Sequence, residues 1–295
     1  MRRHFNWFFV AAAASFLVWQ LSSIGWADVW ASRPHSPLFY LFVVLAYLTL
    51  PTADMLIYRR LWRLPRLATW GVCLRKRIYN SALVGYSGEV FLLLWARPRV
   101  RRAGRQLAHE IKDSNILSGV ASNLLTAGLI VYLLVQGELW EAAVPAFEWW
   151  ALATLVLAAL TPAAFLLRRH FMVLSAAETR EVLAIHAVRL CLVQFLVLAQ
   201  WRAALPAAPL GTLVSLLAVQ LLVSRIPMVP NRDLLFISIG IALAGDLAVP
   251  QAQIASLLLT AAALQQVLHL VVMIATSVPL GIGTRRALPD GGAAE

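Results

Sequence analysis

Long apolar runs separated by short polar breaks dominate this chain. A hydrocarbon core about 30 Å thick needs about 20 apolar residues in helical form. Runs of that character occupy residues 5–24, 37–58, 114–135, 149–167, 187–205 and 254–276. Two further apolar runs read as spans, 210–223 and 234–247, are shorter: about 14 residues each, or roughly 21 Å of helix. The pattern predicts an all-α polytopic membrane protein with about eight transmembrane helices.

Two segments break the pattern. Residues 79–95 read Tyr-Asn-Ser-Ala-Leu-Val-Gly-Tyr-Ser-Gly-Glu-Val-Phe-Leu-Leu-Leu-Trp, too interrupted for an ordinary span. Arg75-Lys76-Arg77 precede them and a basic stretch from Arg97 to Arg105 follows. This predicts a re-entrant segment over about 79–97, since irregular backbone at membrane depth must be surrounded by protein or by a wet cavity. In 224–247, Pro227 and Pro230 interrupt the helix before Asp233, because proline removes a donor and clashes with the preceding turn. Each segment has a breaker cluster, then an acid, then a half-length apolar helix. Corresponding broken helices in two pseudo-repeated halves point to a transporter's binding site. A surface turn with the acid as its cap is the plainer reading of each.

Composition agrees with the class: 61% hydrophobic, 13% charged, mean hydropathy +0.75. The net charge of +11 invites a nucleic-acid partner, but 13 of the 25 Lys and Arg residues fall between Arg59 and Lys112. That clustering is the positive-inside pattern of a multi-pass membrane protein, and it predicts that both termini are cytoplasmic and that no nucleic acid is bound. Residues 59–77, which include Trp62 and Trp70, read equally as a helix in the headgroup layer or a solvated loop. Residues 171–185 read as a polar-faced connector and 281–295 as a disordered tail. Cys73 and Cys191 form no ligand or redox pattern.

Candidate chemistry is sparse. No catalytic or phosphate-loop motif is present, the six histidines are scattered, and neither enzymatic activity, metal nor cofactor is expected. Glu89 is an acid at membrane depth and so a candidate functional residue. Arg189, read as one turn into a span, needs a partner or an exit to the interface, and Glu89 is one candidate partner. Asn115, Ser118, Ser122, Asn123 and Thr126 form a stripe that suits either helix packing or a headgroup groove. Gln265, Gln266 and His269 suit either a polar path or interhelical hydrogen bonds.

On these residues the chain resembles the flippase-like transmembrane domain of lysylphosphatidylglycerol synthases and its stand-alone bacterial relatives. Asn80 and Gly85-Tyr86-Ser87-Gly88-Glu89 match the family's Asn, turn and Gly-Glu. Arg225-Ile226-Pro227, Asn231-Arg232-Asp233 and Leu247-Ala248-Val249-Pro250 correspond to its second half, with Met228 to Asn231 in place of a Gly-rich turn, Asp233 in place of a Glu, and Gln265, Gln266 and His269 where an Arg is common. The resemblance spans about 5–276 and departs after Gly-Glu, where Val90, Phe91 and Leu92 replace a basic residue. It implies one transmembrane flippase-like domain over 1–280, without the family's aminoacyl-transferase domain. Its function would be to pass an anionic or amino-lipid headgroup across the bilayer. Arg75, Arg77, Arg225 and Arg232 would attract the phosphate, while Glu89 and Asp233 hold those arginines or respond to protons. Membrane phospholipids are the expected partners. A non-transporting anchor for an envelope enzyme is the alternative, and association with further copies of the chain is compatible with both.

Overall fold

The computed structural model describes residues 33–82, 86–136, 146–167, 171–224, 236 and 251–277. Among them there are eight helices and no strand: α1 (Pro37–Trp62), α2 (Arg66–Ala82), α3 (Ser87–Ala96), α4 (Gly104–Gln136), α5 (Ala146–Leu167), α6 (Ala176–Ala204), α7 (Leu210–Val223) and α8 (Gln251–Ser277). Four of these, α1, α4, α6 and α8, contain segments long and apolar enough to cross a membrane. The proposed first span at 5–24, the short run at 234–247 apart from Phe236, and the tail lie outside the described residues.

Local chemistry sets the boundaries. Helix α1 opens at extended Ser36 with Pro37 in the first turn, where a missing N–H costs nothing because that donor has no helical partner. It closes on Arg59 and Arg60, cations that suit the negative end of the helix dipole, and stops at Arg63 in the left-handed region, φ 54°. Helix α6 opens with a reciprocal cap: the Ser175 side chain accepts from the Glu178 N–H, and Glu178 accepts from the Ser175 N–H at 2.9 Å. Such a box satisfies two otherwise orphaned donors.

That cap corrects the reading of 171–185. The charged residues after Ser175 form the first turns of α6, so Arg189 lies near the middle of a 29-residue helix and not one turn from its start. Likewise α4 begins at Gly104, well before the expected start of its span. Helix α2 corrects the reading of 59–77. Residues 66–82 are helical and not a loop, and one face of the helix, with Val72, Cys73, Leu74, Lys76, Ile78 and Tyr79, is buried against the bundle.

Packing of the described residues forms three apolar clusters, the smallest of them Ile78, Tyr79, Ala82 and Met273, between α2 and α8. A second gathers Ile57, Tyr58, Trp62, Val72, Leu92, Leu107 and Val182, where α1, α2, α3, α4 and α6 meet at the basic end. The third gathers Phe39, Val43, Trp201, Leu216, Leu217 and Leu257 from α1, α6, α7 and α8. Helix α7, 14 residues long, is buried along most of its length. Outward faces stay apolar, with Phe195 at 65% and Val188 at 68% exposure. An apolar patch of this extent is what a lipid-facing surface requires. A set of buried polar and charged side chains, Asp54, Lys76, His186 and His269 among them, joins these helices.

Candidate functional site

That set begins where α2 and α3 pack against each other. Gly88, in the first turn of α3, sits so close to α2 that a Cβ there would lie 2.2 Å from the Lys76 carbonyl oxygen. Only glycine permits this approach. The contact lets the Gly88 N–H donate to Asn80 Oδ1 at 2.7 Å, while Ser87 Oγ donates to the Tyr79 carbonyl at 2.7 Å. Tyr86 precedes them in the left-handed region, φ 70°. The described part of the breaker cluster, Tyr86 to Gly88, therefore opens α3 in close contact with α2, and its acid is not a surface cap.

Glu89 lies in the first turn of α3 with its side chain 12% exposed. The positive end of the helix dipole favours an acid there. Its Oε1 accepts from Asn80 Nδ2 at 3.1 Å and faces Lys76 Nζ at 3.2 Å. The same ammonium donates to Asp54 Oδ2 of α1 at 2.7 Å and stands 5.7 Å from the centre of the Tyr58 ring. One buried lysine thus ties α1, α2 and α3 together through two carboxylates. The partner of Glu89 is Lys76, not Arg189 and not the arginines of the basic run.

Arg189 donates from Nη2 to Ser118 Oγ of α4 at 3.0 Å. One turn before it, His186 Nε2 bonds Ser114 Oγ at 3.1 Å. Arg77 rests its guanidinium 4.5 Å from the centre of the Tyr47 ring, a cation–π geometry. The Tyr47 hydroxyl in turn meets His269 Nδ1 of α8 at 2.9 Å. His269 therefore makes an interhelical hydrogen bond.

Arg77 and Arg189 share a cavity of about 390 Å³ bounded by α1, α2, α6, α7 and α8. Gln194 and Gln200 of α6, Gln220 of α7 and Gln265 of α8 also line it. Val43, Leu50, Val197 and Trp201 supply apolar wall. No carboxylate lines it among the described residues. A concave site with apolar walls and a few convergent polar groups is the common form of a ligand pocket. Two guanidiniums and four amides would suit an oxyanion carrying further polar atoms.

The sequence-singled residues thus separate. Glu89 and Asn80 belong to the buried lock around Lys76, Arg77, Arg189 and Gln265 to the cavity wall. Asn123 packs elsewhere, donating to the Thr154 carbonyl of α5 at 3.1 Å. Arg225, Arg232 and Asp233, with the second broken helix, lie outside the described residues. Sequence reasoning passed over Asp54, Lys76, Tyr47 and three glutamines. Asp54 carried a usable signal as a carboxylate inside an apolar span. Lys76 carried another, sharing a helical face with Val72, Cys73 and Tyr79. Cys73 and Cys191 are both unpaired, and among the described residues no group of metal-ligating side chains forms.

Comparison with protein-family models, with curated proteins and with solved structures returns no match.

Proposed function

We propose that this chain is a lipid carrier, a flippase-like protein of the cell membrane that shelters an anionic headgroup in the Arg77–Arg189 cavity while the acyl tails stay in the bilayer. The observation that carries this reading is one cavity lined by two guanidiniums and four side-chain amides, with no carboxylate among its described lining residues. Guanidinium forks bind phosphate oxygens in pairs and remain charged at any physiological pH. The α2–α3 hairpin is the re-entrant element, and the lock around Lys76 holds it in place. The basic end, rich in arginine, faces the cytoplasm in this reading. The resemblance to the flippase-like domain of lysylphosphatidylglycerol synthases points the same way.

The test is translocation of fluorescent phospholipids in proteoliposomes, read by reduction of outer-leaflet label. Arg77→Gln and Arg189→Gln, each confirmed as folded by an unchanged melting profile, are expected to slow anionic-lipid movement about tenfold or more. Rates equal to the parent's in both variants would defeat the proposal.

A further inference from the structure

Tyr47 of α1 joins three helices at the cavity wall. Its ring centre lies 4.5 Å from Cζ of Arg77 of α2, and its hydroxyl meets His269 Nδ1 of α8 at 2.9 Å. The Tyr47 and His269 rings also pack edge to face, with centres 5.2 Å apart. Tyr47 is 2% exposed, so it offers a ligand almost no surface of its own. Arg77 lines the cavity beside it. Building on the headgroup reading of that cavity, we infer that Tyr47 is a positioning residue: it holds the Arg77 guanidinium ready for a phosphodiester and is itself held by His269.

A guanidinium ends a long flexible side chain, and ordering it only when a ligand arrives costs affinity. Holding it beforehand removes that cost. A ring face holds a cation through the ring's quadrupole and takes up no N–H donor. The forked N–H edge, which is the part that pairs with oxyanions, is therefore not spent on the holding. The ring needs a fixed orientation to act this way, and the Tyr47 hydroxyl obtains it from α8, across 222 positions of sequence. Arg189, the other guanidinium of the cavity, is anchored differently, through Ser118 Oγ at 3.0 Å.

The experiment measures binding of soluble glycerophosphoglycerol to the full chain in detergent by titration calorimetry. Tyr47→Leu, which removes the ring, is expected to weaken binding about tenfold. Tyr47→Phe, which keeps the ring and loses the tie to His269, is expected to weaken it about threefold. In an Arg77→Gln background, where Arg189 still supports binding, Tyr47→Leu is expected to have no further effect, because a residue that acts through Arg77 has nothing left to position. Parent-like affinity in Tyr47→Leu would overturn the inference. So would an equal loss in both backgrounds, the mark of a role in the fold alone. Should Tyr47→Leu fail to fold, Tyr47→Phe takes its place in the cycle under the same two criteria. Phosphatidylglycerol translocation by the parent in proteoliposomes separates this inference from the carrier reading. The expected binding pattern without movement above protein-free vesicles keeps the positioning role and defeats the carrier. No binding to the parent overturns the positioning role, whatever the lipid rate.

Discussion

Removing the Lys76 ammonium is the sharpest probe of the buried charge cluster. Nζ lies 2.7 Å from Asp54 Oδ2 and 3.2 Å from Glu89 Oε1, and the three side chains are 8%, 5% and 12% exposed. Two unit charges at these separations attract by about 5–6 kcal/mol at an effective dielectric of about 20. Desolvation of the buried ions offsets much of that gain. In Lys76→Met the gain vanishes while Asp54 and Glu89 stay buried, and stranding a buried charge costs about 3–5 kcal/mol. At roughly 2 °C per kcal/mol for a chain of this size, the melting temperature in detergent should fall by about 6–10 °C. The triple variant Asp54→Asn, Lys76→Met, Glu89→Gln removes every charge at once and should recover most of the loss, since stranded carboxylates carry the penalty. Differential scanning fluorimetry on purified protein reads both. If Lys76→Met melts within about 2 °C of the parent, or the triple variant melts no higher than the single one, the electrostatic account of the hairpin is wrong.

Two further outcomes follow from the packing. Gly88→Ala brings a methyl group onto the Lys76 carbonyl at 2.2 Å, so α3 must shift by about 1 Å, an overpacking cost of about 1–3 kcal/mol. Faster hydrogen exchange of the Gly88 and Glu89 amides would report that shift; exchange at the parent's rate would refute it. Asp113→Ala removes the carboxylate whose Oδ2 accepts from the Val173 and Leu174 N–H groups at 2.6 and 3.1 Å, tying α4 to the segment before α6. Loss of this fully buried acid should cost about 1–3 kcal/mol and expose those two amides to exchange, whereas unchanged protection at both would show the tie to be idle.

How far the site could be read depends on the residue. Glu89 was legible because glycine and serine breakers set an acid inside apolar sequence, and the close approach of Gly88 to α2 gives that glycine its physical reason. Its partner was not legible. Arg75, Lys76 and Arg77 look alike in a row, and only the start of α2 at Arg66 fixes which of them turns toward Asp54 and Glu89. Helical rotation by about 100° per residue then sends Lys76 into the core and Arg77 toward Tyr47. Arg189 was misplaced for a related cause. The polar residues 175–181 looked like a connector because charge alone cannot separate a protruding helical turn from a loop, whereas the Ser175–Glu178 cap settles it.

Apolar run length determined that the chain is helical and of membrane character, because an unbroken segment of hydrocarbon-core length satisfies its backbone only as a helix. The same pattern located the interruption at α2–α3 and its acid. Tertiary structure decided which groups meet: Asp54 with Lys76 across 22 positions, and Tyr47 with His269 across 222. Electrostatic and hydrogen-bonding energies act over a few ångströms, and that distance between remote residues is a property of how helices pack, which no local pattern along the chain encodes.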